Sequence, residues 1–141
     1  MCESDTSYIY SEEQLIVLCR EWQQRLRLEC WEVALRIARQ RDFDLKNAQG
    51  ECCYTKETAL ATIKILDPTD YPQSPFKYDM EIVLVHELLH LHFCMFDKTE
   101  YGSLDETMME RSIDHIAKAL VKLKRQSGLK AENAVMRGRY P

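Results

Sequence analysis

The sequence predicts an α+β fold: an N-terminal helix, a small sheet of about three strands, antiparallel or mixed, then two further helices. Three observations predict it. Apolar residues recur at helical spacing after residue 11, around residue 85 and after residue 103. Between residues 31 and 66 they alternate instead. Three of the four prolines fall in "DPTDYPQSP", an irregular connection between the strand region and the second helix.

Ser11 followed by Gln14 is a capping-box signal, and Leu15, Cys19, Trp22 and Leu26 then form one apolar helical face. In "WEVALRIA", Trp31, Val33, Leu35 and Ile37 alternate with Glu32, Ala34, Arg36 and Ala38, the pattern of a half-buried strand. "GECCYTKETALATIKIL" reads as one or two more strands, with Ala59, Ala61, Ile63 and Ile65 on one face. Asp79 is placed to cap a helix running to about Phe96. Ser103 with Glu106 forms another capping box, opening a helix to about Gln126 that presents Met109, Ile113, Ile116, Ala117, Leu120 and Leu123. Gly128 is expected to stop it.

With 141 residues, the chain suits one domain over residues 1–125, followed by a basic, flexible tail over 126–141. A net charge of −4 argues against a nucleic-acid binder. The charge is uneven: residues 1–13 carry only acids (Glu3, Asp5, Glu12, Glu13), whereas 124–141 hold five basic residues against Glu132. No run is apolar and long enough to span a membrane, and "MCESDTSYIY" lacks the apolar region of a secretory signal. The six cysteines include no C-x-x-C pair and read as reduced thiols in a cytoplasm. Adjacent Cys52 and Cys53 would point to opposite faces of a strand.

The chemistry concentrates in "VLVHELLHLHF", where His86-Glu87-Leu88-Leu89-His90 fits H-E-x-x-H on a helix. Four-residue spacing puts both imidazoles on one face, about 5–6 Å apart at Cβ, so both can reach one Zn²⁺ ion. Glu87 lies about 100° round the helix from His86, within reach of a metal-activated water rather than the metal. It can act as general base and acid. Two histidines and a glutamate on an apolar helix are costly unless something ligates them.

An open catalytic site needs one more protein ligand. The final helix offers Glu106, Glu110, Asp114 and His115, and Asp97 is a weaker option. Glu106 already has its capping task. Glu110 sits on the edge of the buried face and is the preferred ligand. Asp114, one turn on, can accept the Nδ1 proton of a ligand histidine. Glu106 and His115 stay open as alternative ligands, though His115 is about 140° from Glu110.

H-E-x-x-H, nineteen intervening residues, then Glu110-Arg-Ser-Ile-Asp114 resembles the zincin metallopeptidases of the glutamate-ligand branch, the gluzincins. "HELLHLHF" and "ERSIDHIAKALVKL" look like the minimal zincin-like proteins of phages and prophages. The resemblance covers roughly residues 55–125. It implies a zinc-dependent protease: His86, His90 and Glu110 as metal ligands, Glu87 as the catalytic residue and Asp114 orienting a histidine. It also implies a sheet edge strand that receives a peptide or protein substrate, for which "TALATIKIL" (Ala59, Ala61, Ile63) is the expected counterpart. His92 departs from the longer signature, which has an apolar residue there, and is expected to face water or a polar partner. No transition-state donor stands out among Tyr54, Tyr71, Tyr78 and Tyr101. The alternative function is a catalytically inactive zincin-fold module that binds a protein partner, and the plainest is a metal-free helical core.

Overall fold

A computed structural model describes residues 8–138. Glu3 and Asp5 of the acidic N-terminal segment, Cys2, and Arg139 of the basic segment lie outside the described residues. The described elements are α1 (Glu12–Arg25), β1 (Glu32–Ala38), β2 (Gly50–Thr55), β3 (Leu60–Leu66), α2 (Met80–Phe93) and α3 (Leu104–Gly138), with single 3₁₀ turns at Gln40–Asp42 and Pro68–Asp70. This is the α+β fold expected: three helices and a three-stranded mixed sheet. No helix among the described residues is long and apolar enough to cross a membrane.

The first two capping signals act as read, while Glu106 of the third takes the Gly102 N–H in place of that of Ser103. Ser11 accepts from the Gln14 backbone while the Gln14 side chain takes the Ser11 N–H. Asp79 Oδ1 accepts from the N–H groups of Glu81 and Ile82, opening α2. Leu15, Cys19 and Trp22 are buried on the inner face of α1.

The sheet order is β1-β3-β2. β1 runs parallel to β3, and β2 pairs antiparallel with it. The strand expected at the edge, carrying Ala61 and Ile63, is therefore the central one, hydrogen-bonded on both sides. Ala59 precedes it, in the turn after β2, with φ of 52°. Burial explains the placement. Ala61, Ile63 and Ile65 are almost fully buried, which requires neighbours on both flanks and a helix layer below. The edge strand beside α2 is β2, and Leu66 N–H donates to Gln49 O. Residues 51, 53 and 55 thus share that hydrogen-bonding side toward β3, while Gly50, Cys52 and Tyr54 turn their N–H and C=O groups outward. Cys52 is half-buried and Cys53 exposed, on opposite faces as expected, and the five described cysteines are free.

α2 is the middle of the molecule. It is apolar on nearly every side and packs against α1, α3, β2 and β3 at once. α3 covers it through Ile113, Ala117 and Val121, a narrower stripe than the sequence suggests, leaving Ile116 and Leu123 partly exposed. α3 also runs straight through Gly128 to Gly138, so the expected stop and the tail from 126 give way to continued helix. Glycine ends a helix by taking a left-handed conformation. Gly102 has one, at φ 78°, and Gly128 does not.

A buried charged cluster ties the three helices. Glu81 on α2 accepts from Trp22 Nε1 (2.8 Å), Lys124 Nζ (2.5 Å) and Arg125 Nη2 (3.2 Å). Arg125 also grips Asp79 with both terminal nitrogens. Burial pushes the Glu81 carboxyl up, but Lys124, Trp22 and Arg125 outweigh it and hold the group below its ordinary range. A depressed folded pKa stabilises the fold above the unfolded value and loses that contribution as pH falls through the folded one. Denaturant unfolding should accordingly show stability dropping as pH falls below about 4. Glu81→Gln should flatten that acid limb and cost about 3 kcal/mol at neutral pH.

Candidate metal centre

The site forms where α2 meets α3. His86 and His90 sit one turn apart on α2, ring centroids 5.3 Å apart, and both direct Nε2 toward α3. Glu110 receives them: Oε2 lies 2.9 Å from His86 Nε2 and Oε1 2.9 Å from His90 Nε2. Donor atoms of these three residues all lie within 4.8 Å of one another, a group able to hold a metal ion. Ligands of a tetrahedral zinc stand about 3.3 Å apart at metal–ligand lengths of about 2.0–2.1 Å. The two histidines meet different Glu110 oxygens, and the donor atoms lie close enough together to be drawn round one ion. Two imidazoles and one carboxylate also leave a fourth position free.

The neighbours suit that donor set. Asp114 Oδ1 lies 3.5 Å from His86 Nδ1, on the ring edge turned away from Glu110, while Asp114 Oδ2 pairs with Lys118 at 2.8 Å. Burial pulls the His86 pKa down, but the hydrogen bond it donates to Glu110 and the nearby carboxylates leave it raised. The same two histidines hold Glu110 well below the usual carboxylate range against its partial burial.

Glu87 is different in kind. It is 6% exposed and has no hydrogen-bond partner among the described residues, yet it lines the cleft beside the triad. Burial pushes its carboxyl pKa up, and the adjacent His90 and His86 only partly oppose this. Gly50, the first residue of β2, lies directly over it. A Cβ there would stand 2.7 Å from Val83 Cγ1 and 2.9 Å from Glu87 Cγ. The close approach of strand to helix therefore demands glycine. Sequence reading passed over Gly50, although a glycine opening a strand pattern is itself a sign of close backbone approach.

The other candidates separate cleanly. Glu106 lines the cleft but serves the helix start: Ser103 Oγ accepts its N–H, and its Oε1 accepts from Gly102 N–H. His115 is exposed and stays out of the donor group. Asp97 is occupied by Thr99, and His92 Nε2 lies 2.6 Å from Leu26 O, a polar partner away from the centre. Tyr78 is buried with its hydroxyl donated to Leu66 O, and Tyr71 donates to Phe76 O. Tyr54 and Tyr101 line the cleft.

A second group, Asp44, Glu51 and Cys53, also brings donor atoms together. Glu51 Oε1 accepts the N–H groups of Asp44 and Leu45, and Lys64 Nζ stands 3.5 Å from Oε2. Two backbone donors answer Oε1 and fix the loop before β2, while Oε2 is buried beside Lys64 without a hydrogen-bond partner among the described residues.

The cleft containing the triad has a volume of about 990 Å³, with β2 on one side and the turn before α2 on another. Compared with protein-family models, curated proteins and solved structures, the chain gives no match.

Two outcomes are expected. In competition with a chromophoric chelator, Glu110→Gln should weaken zinc binding by at least tenfold to a hundredfold, while Glu106→Gln and His115→Gln leave it unchanged. Gly50→Ala should lower stability by about 1–3 kcal/mol in chemical denaturation without loss of bound zinc, because the forced shift falls on β2 and Glu87 rather than on the triad.

Proposed function

We propose that the chain is a zinc-dependent peptidase. The observation that carries the proposal is Glu87: a largely enclosed carboxyl that has no hydrogen-bond partner among the described residues and lines the cleft beside a two-histidine, one-carboxylate donor set. A structural metal site has no use for such a group, whereas a carboxyl facing the cleft is placed to exchange a proton with water there.

His86, His90 and Glu110 would hold Zn²⁺, with Asp114 orienting the His86 ring through Nδ1. Zinc, when bound, supplies a Lewis acid and makes water a nucleophile at neutral pH. Glu87 takes the proton that water gives up and delivers it to the leaving amine. Its raised pKa favours the first transfer, since a carboxylate that binds a proton more tightly is the stronger base toward water.

A peptide or protein substrate has a natural seat on β2. The outward N–H and C=O groups of Gly50, Cys52 and Tyr54 form an unpaired edge along the cleft, so an extended chain can add as a further strand. The edge role that sequence assigned to the next strand belongs to β2 in this reading. A reducing cytoplasm suits a chain whose five described cysteines are free.

One observation favours the non-catalytic module instead. Of the four tyrosines weighed as oxyanion donors, Tyr71 and Tyr78 commit their hydroxyls to backbone carbonyls, and Tyr54 and Tyr101 line the cleft. Glu87→Gln decides between the readings. The variant should retain zinc and lose cleavage of a mixed peptide library by about 10²-fold or more. Zinc-loaded wild type that cleaves no peptide would sink the peptidase and leave the binding module.

A further inference from the structure

Phe76 is 76% exposed, an unfavourable position for a phenylalanine, and it lines the cleft. Its exposure is not slack in a loop. Its N–H donates to Ser74 Oγ at 3.1 Å, and its carbonyl accepts the Tyr71 hydroxyl at 2.6 Å. The Tyr71 ring stacks on Tyr78, centroids 4.6 Å apart with planes 12° from parallel. Tyr78 is buried and donates its hydroxyl to Leu66 O at the end of β3. Pro72 and Pro75 further restrict the backbone leading up to it. A chain of anchors thus runs from the central strand to Phe76 and holds one apolar ring out into solvent.

The turn that carries it lies beside the start of β2. Tyr78 bonds Leu66, which bonds Gln49, the residue before Gly50. Leu45, 41% exposed, lines the same cleft from the loop before β2. An extended chain seated on the β2 edge would therefore meet two apolar side chains as it passes the Gly50 end.

We propose that Phe76 is a specificity-determining residue, gripping a bulky apolar side chain of an extended peptide where it passes the Gly50 end of β2. The substrate class is then peptide segments with an aromatic or large aliphatic residue at that position. The inference rests on the reading of the cleft as a peptide site, but binding tests it without requiring turnover.

The test uses zinc-loaded Glu87→Gln protein and capped octapeptides on an alanine–threonine background. A single phenylalanine is walked through the sequence, with serine at the same positions as control. Calorimetry should find at least one position where phenylalanine binds more tightly than serine. Adding Phe76→Ala should weaken that peptide by about two- to tenfold and leave its serine counterpart unchanged. Adding Tyr71→Phe, which removes the hydroxyl holding the Phe76 carbonyl, should erode the same preference while zinc content and melting temperature hold. Equal losses for both peptides, no change for either, or no binding of any peptide would overturn the proposal. Cleavage by wild type is scored separately. Preserved discrimination without cleavage counts against the peptidase alone, and cleavage without discrimination counts against Phe76 alone.

Discussion

Everything in this molecule is arranged around one constraint: α2 is enclosed on nearly all sides, yet it carries polar groups that must be answered from other elements. An unpaired buried charge costs far more than a hydrophobic contact returns. Glu81 is answered by Trp22 of α1 and by Lys124 and Arg125 of α3. His86 and His90 are answered by Glu110 of α3. His92 finds the carbonyl that ends α1, at Leu26. The packing of α1 and α3 against α2 is therefore set by these polar contacts as well as by Leu15, Ile113 and Ala117.

Glu87 stands apart on that helix, and the exception is informative. Gly50 passes close over its side chain, while the carboxyl lines the cleft without a hydrogen-bond partner among the described residues. It lies beside three residues whose donor atoms could hold a metal ion, the juxtaposition on which the proposed function rests. Asp44, Glu51 and Cys53 differ in their use: Glu51 Oε1 accepts two backbone N–H groups of the loop before β2, and Oε2 sits buried beside Lys64.

Much of this was legible in the chain because it depends on local periodicity. The capping boxes, the face shared by His86 and His90, and the alternation of β1 all follow from the geometry of a single element. Glu110 was legible for a related reason. It lies three residues before Ile113, at the margin of a buried helical face, where a carboxylate can reach a neighbouring helix and still touch water. Gly50 and Phe76 were harder. One matters only because another helix passes within van der Waals distance, the other only because a turn remote from α3 faces the same cleft.

The sequence by itself determined which residues could act together within an element: His86 with His90 and Glu87, Glu110 with Asp114, Ala61 with Ile63 and Ile65. Those relations follow from fixed rise and rotation per residue. Tertiary structure alone decided the order of the strands, because parallel pairing of β1 with β3 puts the most buried strand in the centre and leaves β2 as the edge over Glu87. It also decided that α3 continues through Gly128, since a glycine ends a helix only when the surroundings call for a left-handed turn. Pairing, crossing and close approach are relations between segments distant in sequence, and no local spacing encodes them.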